Sequence, residues 1–409
     1  MSNSISNPFQ DKHILLGVTG SIACYKAADL ASRLTQAGAR VDVILTHAAL
    51  QFITPLTFQS VTGRHAFTDA DMWGSEGHIQ HIGLAHNADL LVIAPATANT
   101  IARLAYGLAD NLLSVTALAA ACPLLLAPAM DGGMFAHPAT QSNLETLRQR
   151  GASIVGPIEG HLASGQIGTG RMVEPADLFG HIRFLLARGG SLAGWRIVVT
   201  AGGTHEPIDP VRVISNRSSG KQGFALAQAA LDMGAEVILI AGVTDLPTPV
   251  GALRIDAPTA QQMLQAVLAN LTGAAALIMA AAVADFRPIA VAVDKLKKEV
   301  GLPEILLEYT PDILTEVAHF KQQNGWPRRV IGFAAESQDL LDNARIKLDN
   351  KNLDMIVAND ISAADSGFAV DTNRVTLLFT DGSSETLPLL TKQEVAQIVL
   401  QRLSLMNNK

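Results

Sequence analysis

Cysteine is scarce in this chain: Cys24 and Cys122 are the only two in 409 residues, with no CxxC spacing. That excludes a disulfide scaffold and a zinc site built on paired thiolates. Aromatic residues make up 5%, which suits packed α/β layers better than an all-β sandwich. There is no basic arm. With 37 acidic against 30 basic side chains the net charge is −7, so the overall field repels nucleic acid and acidic membranes, and any anion site must be made locally. No apolar run is long enough to span a bilayer and no signal peptide is recognisable. The expectation is a cytoplasmic protein that partners neither nucleic acid nor membrane.

What the chain does have is 48% hydrophobic residues, enough for more than one core at this length. Apolar, β-branched runs alternate with amphipathic stretches. His13 to Val18 reads as a strand, Ala27, Leu30 and Leu34 mark one face of a helix that ends at Gly38, and Val41 to Leu45 is the next strand. The rhythm returns at Leu90, at Leu124, at Arg196 to Ala201 and at Glu236 to Ala241. The fold class is therefore α/β, two doubly wound, mostly parallel-sheet, Rossmann-like domains over 1–190 and 191–409, divided at the glycine-rich segment Arg188 to Gly194.

One stretch suits neither helix nor strand. GGTHEPIDPVRVISNRSSGKQGFA, from Gly202 to Ala225, reads as a long loop from a buried strand to a helix. Gly202 and Gly203 let the backbone turn, and Ser218, Ser219, Gly220 and Lys221 bring hydroxyls, amides and a cation to a helix N-terminus, which is an anion site. Arg212 and Asn216 add to it. This loop resembles the signature of the phosphopantothenate–cysteine ligases. The resemblance extends over nearly the whole chain to the bifunctional coenzyme A biosynthesis flavoproteins, whose first half is a phosphopantothenoylcysteine decarboxylase. It implies a flavodoxin-like flavoprotein domain followed by a ribokinase/Rossmann-like ligase domain.

In the first half the glycine turn is Gly17-x-x-Gly20-Ser21 and not GxGxxG, which disfavours a nicotinamide dehydrogenase although Asp42 lies at about the ribose-binding distance. Thr19, Gly20 and Ser21, Thr46, and the segment Pro95, Thr97, Asn99 all sit where strands give way to loops. With Met130 they resemble an FMN site. The resemblance assigns His78, in a Gly-His-Ile context, as the proton acceptor. It also exposes two departures: Asp131 stands where relatives commonly have asparagine, and Ser164 stands where the best-known members carry an acidic cysteine. The expectation is that Asp131, its pKa raised beside a substrate carboxylate, holds or relays the proton, with Ser164 hydrogen-bonded to it or to sulfur. Solvent as the proton source is the alternative.

In the second half the resemblance places CTP on the backbone of Met279, Ala280 and Ala281, on Asp285 and Lys295, on Pro311, Asp312, Ile313 and Leu314, and on Phe333, Lys347 and Lys351. The implied chemistry is CTP-dependent coupling of 4′-phosphopantothenate to L-cysteine through an acyl-cytidylate. Arg212, Asn216 and Lys295 would act on the anionic groups, and Mg²⁺ would arrive with CTP instead of on a protein metal site. FMN-dependent decarboxylation of the product follows. A homo-oligomer, a dodecamer of trimers and dimers, is implied in the same way, and a purely regulatory FMN-binding protein is the non-catalytic alternative.

Overall fold

The computed structural model describes residues 7–73, 77–297, 304–336, 340–360 and 370–406, with backbone alone at 73, 77–79, 335, 336, 340 and 360. The chain divides into two compact units that adjoin in sequence at Leu186 and Ala187.

In the N-terminal unit the alternating pattern becomes β1 (His13–Val18), α1 (Cys24–Gln36), β2 (Arg40–Leu45), α2 (Pro55–Thr62), β3 (Ala66–Phe67), α3 (Gly77–Asn87), β4 (Leu90–Ala96), α4 (Ala98–Tyr106), α5 (Leu112–Ala119), β5 (Leu124–Pro128), α6 (Gly132–Ala136), α7 (Pro138–Gln149), β6 (Ser153–Ile154), β7 (Ile158–His161), β8 (Ile167–Arg171) and α8 (Pro175–Ala187). The first six strands form one sheet in the order β3-β2-β1-β4-β5-β6, parallel at every pairing. Its strands are apolar on both sides because helices cover both faces: Leu16, Leu30, Phe58 and Ile182 on one, Leu15, Ile93, Ile101 and Leu147 on the other. Strand order reverses between β1 and β4, which opens a crevice at their carboxyl ends. β7 and β8 make a separate antiparallel hairpin.

Asp42 lies near the start of β2, away from that crevice. Its carboxylate accepts from His13 Nε2 at 2.5 Å and from Arg64 Nε at 2.5 Å. Burial opposes its charge, but these two partners hold its pKa below the usual carboxylate range. It is a structural tie and cannot serve as a ribose ligand.

The C-terminal unit comprises β9 (Arg196–Ala201), β10 (His205–Pro207), β11 (Val213–Ser215), α9 (Lys221–Asp232), β12 (Glu236–Ala241), β13 (Ala252–Asp256), α10 (Ala260–Asn270), β14 (Ala276–Met279), β15 (Phe286–Pro288), β16 (Leu307–Tyr309), α11 (Ile313–Asn324), β17 (Arg329–Glu336), α12 (Leu340–Asn350), β18 (Met355–Asp360), β19 (Thr372–Asn373), β20 (Val375–Phe379), β21 (Ser384–Thr386), β22 (Leu390–Thr391) and α13 (Lys392–Leu405). Eight strands run β13-β12-β9-β14-β17-β18-β20-β21, parallel as far as β18 and antiparallel beyond it. On one face α10, α11 and α12 bury Met263, Val317 and Leu348 against Leu277, Val330 and Ile356. Helices α9 and α13 pack on each other over the opposite face.

The stretch read as an irregular loop from Gly202 is not wholly irregular. β10 and β11 pair antiparallel, His205 with Ser215. The ribbon forms because its first strand is anchored: His205 N–H donates to Pro258 O at 2.7 Å, and the buried Glu206 accepts the Ala260 N–H at 2.8 Å.

Candidate functional site

In the C-terminal unit the carboxyl edge of the sheet opens into a cavity of about 1000 Å³. Its floor is built by stitching the signature loop to the segment after β14. Thr200 Oγ1 accepts the Ala281 N–H at 3.1 Å, Thr204 Oγ1 accepts the Ala284 N–H at 2.9 Å, and Ala282 N–H donates to Gly202 O at 2.8 Å. On its other side the signature loop lies against the turn after β12, where a Cβ at Gly242 would stand 2.4 Å from Gly203 O. The small side chains of Ala280, Ala281 and Ala282 line the cavity and leave the space above them open.

The cavity brings together Asn216, Met279, Ala280, Ala281, Asp285, Pro311, Asp312, Ile313, Leu314, Phe333, Lys347 and Lys351. These come from five separate stretches of sequence. Asn216 Nδ2 donates to Val283 O at 2.9 Å, which fixes the amide beside the cavity wall. Asp312 caps α11, accepting the Thr315 N–H at 3.1 Å, and its other oxygen pairs with Lys351, which also donates to Thr315 Oγ1 at 3.0 Å. Burial raises the pKa of Asp312, and the Lys351 ammonium and the Thr315 amide more than offset that, so it is held below its ordinary value. The site therefore carries a cation at the N-terminus of a helix, both of which favour a phosphate.

Arg212 and Lys295 are not among the lining residues. The guanidinium of Arg212 is drawn instead to Asp209, whose side chain is fully buried, and to Leu296 O at 3.1 Å. Burial works against the Asp209 charge, yet the N–H groups of Val211, Leu296 and Arg212, with the guanidinium, bring its pKa down to about 2. Ala292 N–H also donates to Ile208 O at 3.0 Å. Arg212 thus ties the segment that carries Lys295 to the signature loop, and Lys295 itself is exposed.

Sequence reasoning missed Arg217, Tyr309, Asn373 and Lys392, which also line the cavity, and it read Asn359 only as a polar strand end. Lys392 carried a signal. It is the first residue of α13, and a cation at a helix N-terminus opposes the helix dipole unless something else holds it there.

In the N-terminal unit Ser21, Thr46, Pro95, Thr97, Asn99 and Met130 all lie at the carboxyl ends of β1, β2, β4 and β5, with Gly20 in the same turn as Ser21. A Cβ at Gly20 would meet that of Ala48 at 2.5 Å, so the turns after β1 and β2 touch. Thr97 caps α4. Thr19 departs from expectation: it is buried, donates to Pro95 O at 2.6 Å and accepts the Thr97 N–H at 3.1 Å, so it braces the crevice and offers no hydroxyl to it. The side chain of His78 lies outside the described residues.

Ser164, between β7 and β8, donates its hydroxyl proton to Asp131 Oδ2 at 2.8 Å, while Asp131 Oδ1 accepts the Gly133 N–H at 2.9 Å. Met130 N–H donates to Gly170 O at 3.0 Å, which fastens the hairpin alongside. The expected hydrogen bond is present, and the protein's own groups act on the carboxyl in the other direction from a substrate carboxylate. The Gly133 amide and the Ser164 hydroxyl hold the carboxyl below its ordinary range, so Asp131 is ionised at neutral pH.

Family models match both units. Residues 2–186 match the Flavoprotein family and residues 192–406 the DNA/pantothenate metabolism flavoprotein C-terminal domain. The coenzyme A biosynthesis bifunctional protein CoaBC of Vibrio cholerae is 46% identical over 95% of this chain and 97% of its own length. That of Bacillus subtilis is 43% identical over 98% of both. A crystal structure of the C-terminal domain of a CoaBC protein is 41% identical, covers 54% of this chain and 99% of its own, and has a TM-score of 0.46. With two family models side by side and relatives matched from end to end, the chain belongs to the family of coenzyme A biosynthesis bifunctional proteins.

Proposed function

We propose that the C-terminal unit joins 4′-phosphopantothenate to L-cysteine at the expense of CTP, and that the N-terminal unit decarboxylates the product. The observation that carries the ligase reading is the cavity in which Lys347, Lys351, the α11 N-terminus, the 279–281 backbone and Asn216 converge. A carboxylate acylates poorly, so it first attacks the α-phosphate of CTP and expels pyrophosphate. The cysteine nitrogen then forms the amide bond as the C–O bond to CMP breaks. Lys347 and Lys351 hold the phosphates, the Asn216 amide donates to the acyl-cytidylate, and exposed Lys295 supplies charge to the α-phosphate. Mg²⁺ enters with CTP and screens the triphosphate.

In the N-terminal unit the residues fit FMN: Ser21, Thr46, Thr97 and Asn99 bring hydroxyls and an amide to the carboxyl ends of the strands. When bound there, the flavin would supply two-electron redox chemistry. His78 stands at the start of α3 as proton acceptor. Asp131, ionised at rest, cannot begin as an acid. It is loaded first, taking the substrate thiol proton through Ser164 Oγ, and later hands that proton back by the same path to the substrate carbon once CO₂ has left. The carboxylate thereby performs the work done elsewhere by a thiol, which serine alone is too weak an acid to do.

Full-length similarity to bifunctional enzymes, and not to one half alone, disfavours a regulatory role. The assembly we propose is a dodecamer of trimers and dimers; among the described residues β21 is the outermost strand of its sheet, and such an edge can pair. The cytoplasm is the proposed setting, and among the described residues no helix is long and apolar enough to cross a membrane. The test is a coupled assay on 4′-phosphopantothenate, cysteine and CTP, scored separately for amide and for CO₂. Both products are expected. Failure to form amide contradicts the ligase half, and amide without CO₂ contradicts the decarboxylase half.

A further inference from the structure

Thr19 carries the tie between β1 and β4 past the point where the two strands stop pairing. Their backbone register runs from Ile14 with Leu90 to Gly17 with Ile93 and ends there. It cannot resume at Pro95, which has no N–H to give. The Thr19 side chain takes over. Its hydroxyl, on a residue 1% exposed, donates to Pro95 O at 2.6 Å and accepts the Thr97 N–H at 3.1 Å. One bond thus runs in each direction, as between paired strands.

Thr19 is also fixed from behind. The buried Cys24 thiol, at the start of α1, donates to Thr19 O at 3.2 Å, and the Cys24 N–H donates to Ser21 O at 3.1 Å. The hydroxyl is therefore aimed at β4, and its single proton goes to Pro95 O. Thr97 Oγ1 lies 3.5 Å from it and turns to Thr100 instead, accepting the Thr100 N–H at 3.4 Å and meeting the Thr100 hydroxyl at 3.2 Å. So Thr19 holds the backbone of Thr97, while the side chain of Thr97 starts α4.

Gly20 and Ser21 follow Thr19 directly, and Asn99 lies two residues beyond Thr97. One buried hydroxyl stands between the two groups of residues that fit the flavin nucleotide. We propose that Thr19 is a positioning residue for FMN: it touches no part of the cofactor and governs its affinity by holding Thr97 and the start of α4 at a fixed distance from Ser21. The inference rests on the FMN reading of these strand ends. Without the hydroxyl, Pro95 O and the Thr97 N–H lose their partners, and leaving such groups unpaired costs more than the made bond contributes. The end of β4 then shifts or takes in water, and either change alters the spacing.

The experiment titrates FMN into the flavin-free full chain and follows flavin fluorescence, with the folding of each variant checked by its melting curve. Thr19→Val keeps the shape and removes the hydroxyl, and it should raise the FMN Kd at least about tenfold. Thr19→Ser keeps the hydroxyl and should stay within about threefold. Because Thr19 acts through Thr97, Thr97→Val should cost at least about fivefold in the wild type and less than about twofold in Thr19→Val. Should Thr19→Val fail to fold, Thr19→Cys, whose thiol is a weak donor, carries the same comparison against Thr19→Ser. An unchanged Kd in the valine variant, a loss that serine shares, additive losses, or no loss from Thr97→Val alone would overturn the inference and leave the FMN reading standing. A wild-type chain that binds no FMN would defeat that reading and the inference with it.

Discussion

Asn216→Asp should reduce amide formation by about 10² to 10³-fold while leaving CO₂ release from supplied phosphopantothenoylcysteine unchanged. The substitution is nearly isosteric, so the backbone has no reason to move. What changes is the sign of the group beside the cavity. The wild-type amide donates to Val283 O at 2.9 Å, and its remaining N–H is available to the acyl-cytidylate. A carboxylate can donate to neither. It faces a carbonyl oxygen across the former hydrogen bond and meets an anionic intermediate with like charge. The acyl-cytidylate can still form at the lysines on the far wall, so pyrophosphate release should fall less than amide yield. Unchanged amide yield contradicts the role given to Asn216.

Asp131→Asn should slow CO₂-linked product formation by about 10²-fold at neutral pH and leave ligation intact. Asparagine Oδ1 can still accept the Gly133 N–H, and its amide can still bond Ser164, so the hairpin keeps its place. Only the capacity to take and return a proton is lost. The pH dependence follows from the direction of the shift. Because the carboxyl is held below its ordinary range, wild-type Asp131 stays ionised through the neutral range and loses its accepting form only as pH falls through that lowered value. The wild-type rate should therefore show an acid limb set by Asp131, and the asparagine variant should lack it. A variant as active as wild type would mean that solvent supplies the proton.

These expectations show where the sequence was readable and where it was not. Strand, loop and helix were legible wherever an apolar run met a glycine turn, as at His13 to Ser21 and Arg196 to Ala201, because period and turn chemistry are local. The cavity residues around Met279, Asp312 and Lys347 were placed together by a resemblance, and the fold gathers them in one cavity. Arg212 lies off the cavity wall because its guanidinium pairs with Asp209, a buried carboxylate three residues away, a contact no local pattern shows. Thr19 behaves in the same way: a hydroxyl after a strand reads as a ligand group until Pro95 O claims it from a distant strand. The ribbon at His205 and Val213 was hidden because Pro258 and Ala260 anchor it from another part of the chain. Asn359, Asn373 and Lys392 converge only through the antiparallel return of β20 and β22, which no local pattern announces.

The claim on which the rest depends is that the C-terminal cavity takes a pyrimidine triphosphate. Calorimetric titration of CTP with Mg²⁺ into the purified chain tests it most directly. The account predicts saturable binding that weakens by about 10 to 100-fold in the Lys347→Ala, Lys351→Ala double variant, as expected when two charge-assisted contacts are lost. No heat with the wild type, or a double variant that binds CTP as tightly as the parent, would contradict it.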